Sequence, residues 1–105
     1  MPLSTDQKKR FRKIGHQLKC IVTIAEKGLT ENVLAEIERA LEDHELIKIK
    51  CNVLDRDEKV ALLEAVRDET GAELAQVIGK VGLFYRPAKK QNPKLSNVTR
   101  FQEVL

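Results

Sequence analysis

The chain has 105 residues, the size of one domain with a core of its own, and its 42% hydrophobic and 33% charged content excludes a disordered segment. No apolar run approaches the ~20 residues that span a bilayer, and the opening Met1-Pro2-Leu3-Ser4-Thr5-Asp6-Gln7-Lys8-Lys9-Arg10 lacks the apolar stretch of a signal peptide. A cytoplasmic protein with no membrane partner is therefore expected.

The net charge of +3 conceals a segregation. Residues 1–20 carry six Lys/Arg and one acid, residues 80–105 again six and one, and residues 21–79 seven and fourteen. Two basic ends around an acidic centre suit a polyanionic partner, because clustered cations raise the local potential and release counterions on binding. Two solvated, mobile ends are the plainer explanation of the same charges. Cys20 and Cys51 are expected to be free thiols in a reducing compartment.

Ser4-Thr5-Asp6-Gln7 is a capping box that starts a helix near Thr5, ending near Gly15, with Leu3, Phe11 and Ile14 as its apolar contacts. Ile21-Val22-Thr23-Ile24-Ala25 is β-branched and almost wholly apolar, the pattern of a buried central strand. After a turn at Glu26-Lys27-Gly28, Thr30 caps a helix to about Asp43 on the stripe Val33, Leu34, Ile37, Ala40 and Leu41. Its outer faces hold Glu31, Glu36, Glu38, Glu42 and Asp43, so much of the central acidity is helix surface.

Leu46 to Asn52 alternates, with Ile47, Ile49 and Cys51 on one face and Lys48 and Lys50 on the other, which predicts a strand with one open face. Asp55-Arg56-Asp57-Glu58 starts a third helix, which Gly71 ends after Thr70. Leu74–Ile78 and Val81–Arg86 form a hairpin across Gly79-Lys80, and beyond Pro87 the periodicity stops. The expected fold is α/β: a two-layer sandwich in the order α-β-α-β-α-β-β with a four-stranded mixed sheet. Residues 1–88 form the domain and residues 89–105 a basic C-terminal tail, in which Val98, Phe101, Val104 and Leu105 are candidate docking contacts.

Catalytic equipment is sparse. His16 and His44 are the only histidines, and neither stands at metal-ligand spacing from a cysteine. His44 reads as a helix-end dipole partner, and Cys51 as a packed small hydrophobe. His16 lies in the basic segment, within reach of phosphate or simply in a loop. Gly79-Lys80-Val81-Gly82 is too short for a nucleotide loop. No enzyme, metal, cofactor or small-molecule substrate is expected. Tyr85, beside Arg86, reads either as a stacking platform for a base or ribose or as a half-buried core tyrosine.

Three runs carry a resemblance: Gly28-Leu29-Thr30-Glu31, His44-Glu45-Leu46-Ile47-Lys48-Ile49-Lys50, and Gln76-Val77-Ile78-Gly79-Lys80 with Leu83-Phe84-Tyr85-Arg86-Pro87. In this order and spacing they resemble the CRM domain (chloroplast RNA splicing and ribosome maturation domain) in its stand-alone bacterial, YhbY-like form, over roughly residues 3–88. The resemblance implies a fold similar to the C-terminal domain of translation initiation factor three, RNA binding, and association with precursors of the large ribosomal subunit. Related domains in plants serve group II intron splicing. It also implies a Gly-x-x-Gly loop after the first strand, like the loop with which KH domains clamp nucleic-acid backbone. Here that loop is degenerate and reads Ala25-Glu26-Lys27-Gly28. Lys27 and Gly28 stay as site candidates, whereas the methyl of Ala25 and the charge of Glu26 do not suit phosphate.

The expected interface combines Lys9, Arg10, Arg12 and Lys13 of the first helix with Lys19, Lys27, Gly28, Tyr85 and Arg86, and adds Lys48 and Lys50 on the open sheet face. The partner would be large-subunit rRNA or a pre-ribosomal particle, bound by a monomer. The alternative is a protein–protein interaction module that docks on ribosomal proteins through its acidic helix.

Overall fold

Side-chain caps set the helix starts. In the computed structural model, which describes residues 3–100, the elements are α1 (Thr5–Gly15), β1 (Cys20–Ile24), α2 (Glu31–His44), β2 (Leu46–Cys51), α3 (Arg56–Thr70), β3 (Glu73–Ile78), β4 (Val81–Tyr85) and α4 (Asn97–Arg100). The Ser4 hydroxyl accepts from the Gln7 amide at 3.1 Å, and the Gln7 side chain accepts from the Ser4 amide at 2.9 Å, so the capping box is closed. Thr30 caps α2 through the Val33 amide at 3.2 Å, and Asp55 caps α3 through the amides of Asp57 and Glu58 at 2.8 and 3.2 Å. Gly71, at φ 73°, ends α3 in the left-handed conformation expected of it.

The sheet order is β1-β2-β4-β3. β1 and β2 run parallel across the α2 crossover, while β4 is antiparallel to both β2 and β3. Helices α2 and α3 cover one face, burying Val22, Ile24, Ile47, Ile49, Cys51 and Phe84 against Ile37, Leu41, Leu63 and Val66. Gly82 lies under this layer: a Cβ there would stand 2.7 Å from a Leu63 methyl and 2.9 Å from the Phe84 ring.

The opposite face is only partly open. Phe11 and Ile14 of α1 pack on Leu46, Ala75 and Leu83, flanked by Leu3, Leu18, Tyr85 and Val98. Burying each of these two side chains contributes about 1.5–3 kcal/mol. α1 thus covers the end of the sheet where Leu46 pairs with Tyr85, and the end where Lys50 pairs with Val81 lies beyond its last turn.

The segment after β4 is anchored as far as α4. Glu45, a residue only 4% exposed, ends α2 at φ 61°. Its carboxylate accepts from the Ala88 amide at 2.8 Å, the Gln91 side-chain amide at 2.6 Å and the Ser96 hydroxyl at 2.6 Å. Glu42 accepts from the Lys89 amide at 2.9 Å, His44 Nδ1 donates to the Leu95 carbonyl at 2.9 Å, and Asn97 donates to the Leu46 carbonyl at 2.7 Å. Val98 packs with the α1 cluster, as expected of a docking contact. Phe101, Val104 and Leu105 lie outside the described residues.

Candidate nucleic-acid interface

Lys9, Arg12, Lys13 and His16 stand at i, i+3, i+4 and i+7 of α1 and its C-cap, so they form one stripe. Phe11 and Ile14 point the opposite way into the core, which turns the stripe straight to solvent, and all four side chains are exposed. None of the ion pairs among the described residues involves an α1 cation. With no internal counter-charge, these groups are available to an external anion. Arg10 lies on the flank of the stripe, half-buried, near Tyr85.

From His16 the surface continues onto the open end of the sheet. A recess of about 130 Å³ there is lined by Gly15, His16, Lys48, Gln76, Ile78, Val81 and Leu83. Across the strands, Val81 pairs with Lys50 and Lys50 with Thr23. Thr23 in turn borders a groove lined by Ala25, Glu26, Lys27, Gly28 and Thr30. The stripe, the open sheet end with exposed Lys50, and the Lys27-Gly28 loop therefore form one continuous surface. Lys19 is exposed on the link from α1 to β1 that borders it.

The degenerate loop keeps a compact turn. The Gly28 amide donates to the Ala25 carbonyl at 2.9 Å, and only Gly28 takes positive φ, at 76°. Because the turn asks for a left-handed residue at its last position alone, alanine at position 25 brings no backbone strain.

Three expected site residues are engaged elsewhere. Lys48 was expected on an open face, but its ammonium donates to the carbonyls of Gly15 and Leu18 at 3.1 and 3.3 Å and so ties down the end of α1. Arg86 turns inward, with its side chain 20% exposed. It donates to the Glu38 carboxylate at 2.7 Å and the Thr70 carbonyl at 2.9 Å, and it stands 3.7 Å from Glu42. Tyr85 stacks on Phe11 with ring centroids 4.5 Å apart, the half-buried core role rather than an open platform. Burial, together with the Glu45 charge, pushes its phenol up despite nearby Arg10.

Cys51 is fully buried, and its burial raises the thiol pKa, partly offset by Lys59. Cys20 is exposed, and both cysteines are free. No cluster of three or more His, Cys, Asp or Glu able to hold a metal occurs among the described residues. No helix among them is long and apolar enough to cross a membrane.

Comparison with known proteins decides the family. The CRS1 / YhbY (CRM) domain model matches residues 3–86. The chain belongs to the CRM domain family. A Pseudomonas aeruginosa relative named as a probable RNA-binding protein is 52% identical over 104 residues, 99% of this chain and 100% of that one. A Haemophilus influenzae RNA-binding protein is 43% identical over 93 residues, covering 89% of this CRM chain and 94% of the relative. The solution structure of a Staphylococcus aureus protein described as a candidate RNA-binding protein superposes with a TM-score of 0.73 at 35% identity, over 84% of this chain and 92% of that one. The two folds are the same.

Proposed function

We propose that this CRM protein binds RNA, and that its target is large-subunit ribosomal RNA or a pre-ribosomal particle, met in the cytoplasm by a single copy of the chain. The observation that carries the reading is the α1 stripe of Lys9, Arg12 and Lys13, exposed to solvent with no ion-pair partner among the described residues. Lys19, Lys50 and Lys27 extend the charge along the same surface, and the left-handed turn at Gly28 lets backbone approach closely. The role is binding rather than catalysis, and the names of the relatives support it.

Salt titration of binding to a single-stranded rRNA fragment is the direct test. With all six of these cations on phosphate, log K falls against log salt with a slope of about −4. Reversing Lys9, Arg12 and Lys13 to Glu together is expected to shrink that slope by about 2. A slope near zero in the unsubstituted protein overturns the reading. The protein-docking alternative has less to rest on, because Glu38 and Glu42 of the acidic helix are spent on Arg86 and on the residues after β4.

A further inference from the structure

The recess at the end of α1 is a concavity inside the proposed RNA surface with an apolar floor. Val81 and Leu83 form that floor, Ile78 its lip, the Lys48 stem one wall, and the Gln76 amide and His16 imidazole stand at the side. Hydrogen bonds among the described residues leave both Gln76 and His16 side chains without a protein partner, whereas the neighbouring Lys48 ammonium is occupied by the Gly15 and Leu18 carbonyls. Ile78 is 57% exposed at the lip, so the recess opens to solvent. An apolar floor beside an amide with an unengaged donor and acceptor, and an imidazole edge, is a receptor for a flat heterocycle with polar edges.

Size selects the heterocycle. An apolar cavity of ~150 Å³ accommodates a benzene ring, so about 130 Å³ seats one six-membered ring, and a fused second ring would extend past the open lip. Charge selects what the ring is attached to. Lys50 pairs directly across from Val81 at the rim, which places a cation where a nucleotide's phosphate would run.

We propose that this recess takes one unpaired pyrimidine base of the bound RNA, with the Gln76 amide pairing to its polar edge, the His16 ring against it and Lys50 on the adjoining phosphate. The inference rests on the RNA-binding reading and adds a base preference to it.

The test measures binding of the full chain to oligouridylate and oligoadenylate of equal length, before and after Gln76→Leu, which keeps the side-chain shape and removes its hydrogen bonds. The unsubstituted protein is expected to favour oligouridylate about tenfold. Gln76→Leu should erase most of that preference through oligouridylate alone, leaving oligoadenylate affinity and the salt slope unchanged. Ile78→Ala, at an exposed lip position that the fold tolerates, should weaken oligouridylate binding about threefold. Equal affinity for both oligomers, with Gln76→Leu silent, overturns the recess while leaving the RNA-binding reading intact. Binding of neither oligomer nor of an rRNA fragment overturns that reading, and the recess with it.

Discussion

Glu45 shows how much one side chain organises. It holds positive φ without being glycine, an arrangement that costs about 1–3 kcal/mol and persists only where the surroundings enforce it. Burial pushes its carboxyl up, but the hydrogen bonds from Ser96, Gln91 and Ala88 together hold it below the ordinary 4.5. A carboxyl whose folded pKa is depressed contributes stability that is complete above 4.5 and is lost as the pH falls through the folded value. Glu45→Gln should therefore destabilise by about 1–3 kcal/mol at pH 7, and the gap to the unsubstituted protein should narrow as the pH drops below 4.5. Urea melts at pH 7 and in the acid range check this; a gap that stays constant refutes it.

Lys48 and Lys50 separate structure from binding on a single strand. Both lie on the same face of β2, as the alternation requires, yet one ammonium is held by α1 and the other is in water. Lys48→Met should cost about 1 kcal/mol of stability through the lost helix-end contacts while leaving the salt slope of RNA binding alone. Lys50→Ala should leave thermal stability unchanged and reduce the slope by about 0.7. Melting and binding measured on both variants distinguish the two roles.

At the level of elements, what was legible had a local period or a local cap. Ser4, Thr30 and Asp55 announce α1, α2 and α3, and the alternation from Leu46 to Cys51 announces β2, because each signal depends on neighbours within about four residues. The family's runs then placed the chain in its fold. What lies after Pro87 has no period: its order comes from single contacts to Glu42, His44, Glu45 and Leu46, more than forty residues away in the chain. For the same reason parity could put Lys48 and Arg86 on a strand but could not reveal that a helix end or a pair of acids waits beside each. On the candidate site, the α1 stripe was readable as a run of cations. The recess was not, because Gln76 and Val81 come together through the sheet register and His16 reaches them from the end of α1. Ending the chain at Pro87 would strip Glu45 of all three hydrogen-bond donors. A drop of at least about 2 kcal/mol in denaturant melts is expected, and unchanged stability would make residues 89–105 the independent tail that the sequence suggests.

Across the whole molecule, charge divides along the sheet. The α1 cations and Lys50 lie on one side, and the exposed acids Glu36, Glu64 and Glu69 of α2 and α3 on the other. The molecule measures about 37 × 25 × 24 Å, so the two faces are some tens of ångströms apart at most. In 10 mM salt the Debye length is about 30 Å and an approaching RNA senses both faces at once; at physiological salt it is about 8 Å and only the near face counts. The acidic face should therefore retard association with RNA at low salt and become invisible at high salt. Replacing Glu36, Glu64 and Glu69 with Gln, all at exposed positions outside the proposed interface, should raise the association rate several-fold in 10 mM salt, with the two proteins converging by 150 mM and the dissociation rate hardly moving. Stopped-flow binding across that salt range is the measurement. A difference that survives undiminished at 150 mM would place the acids in contact with the RNA and so move the interface to the other side of the sheet.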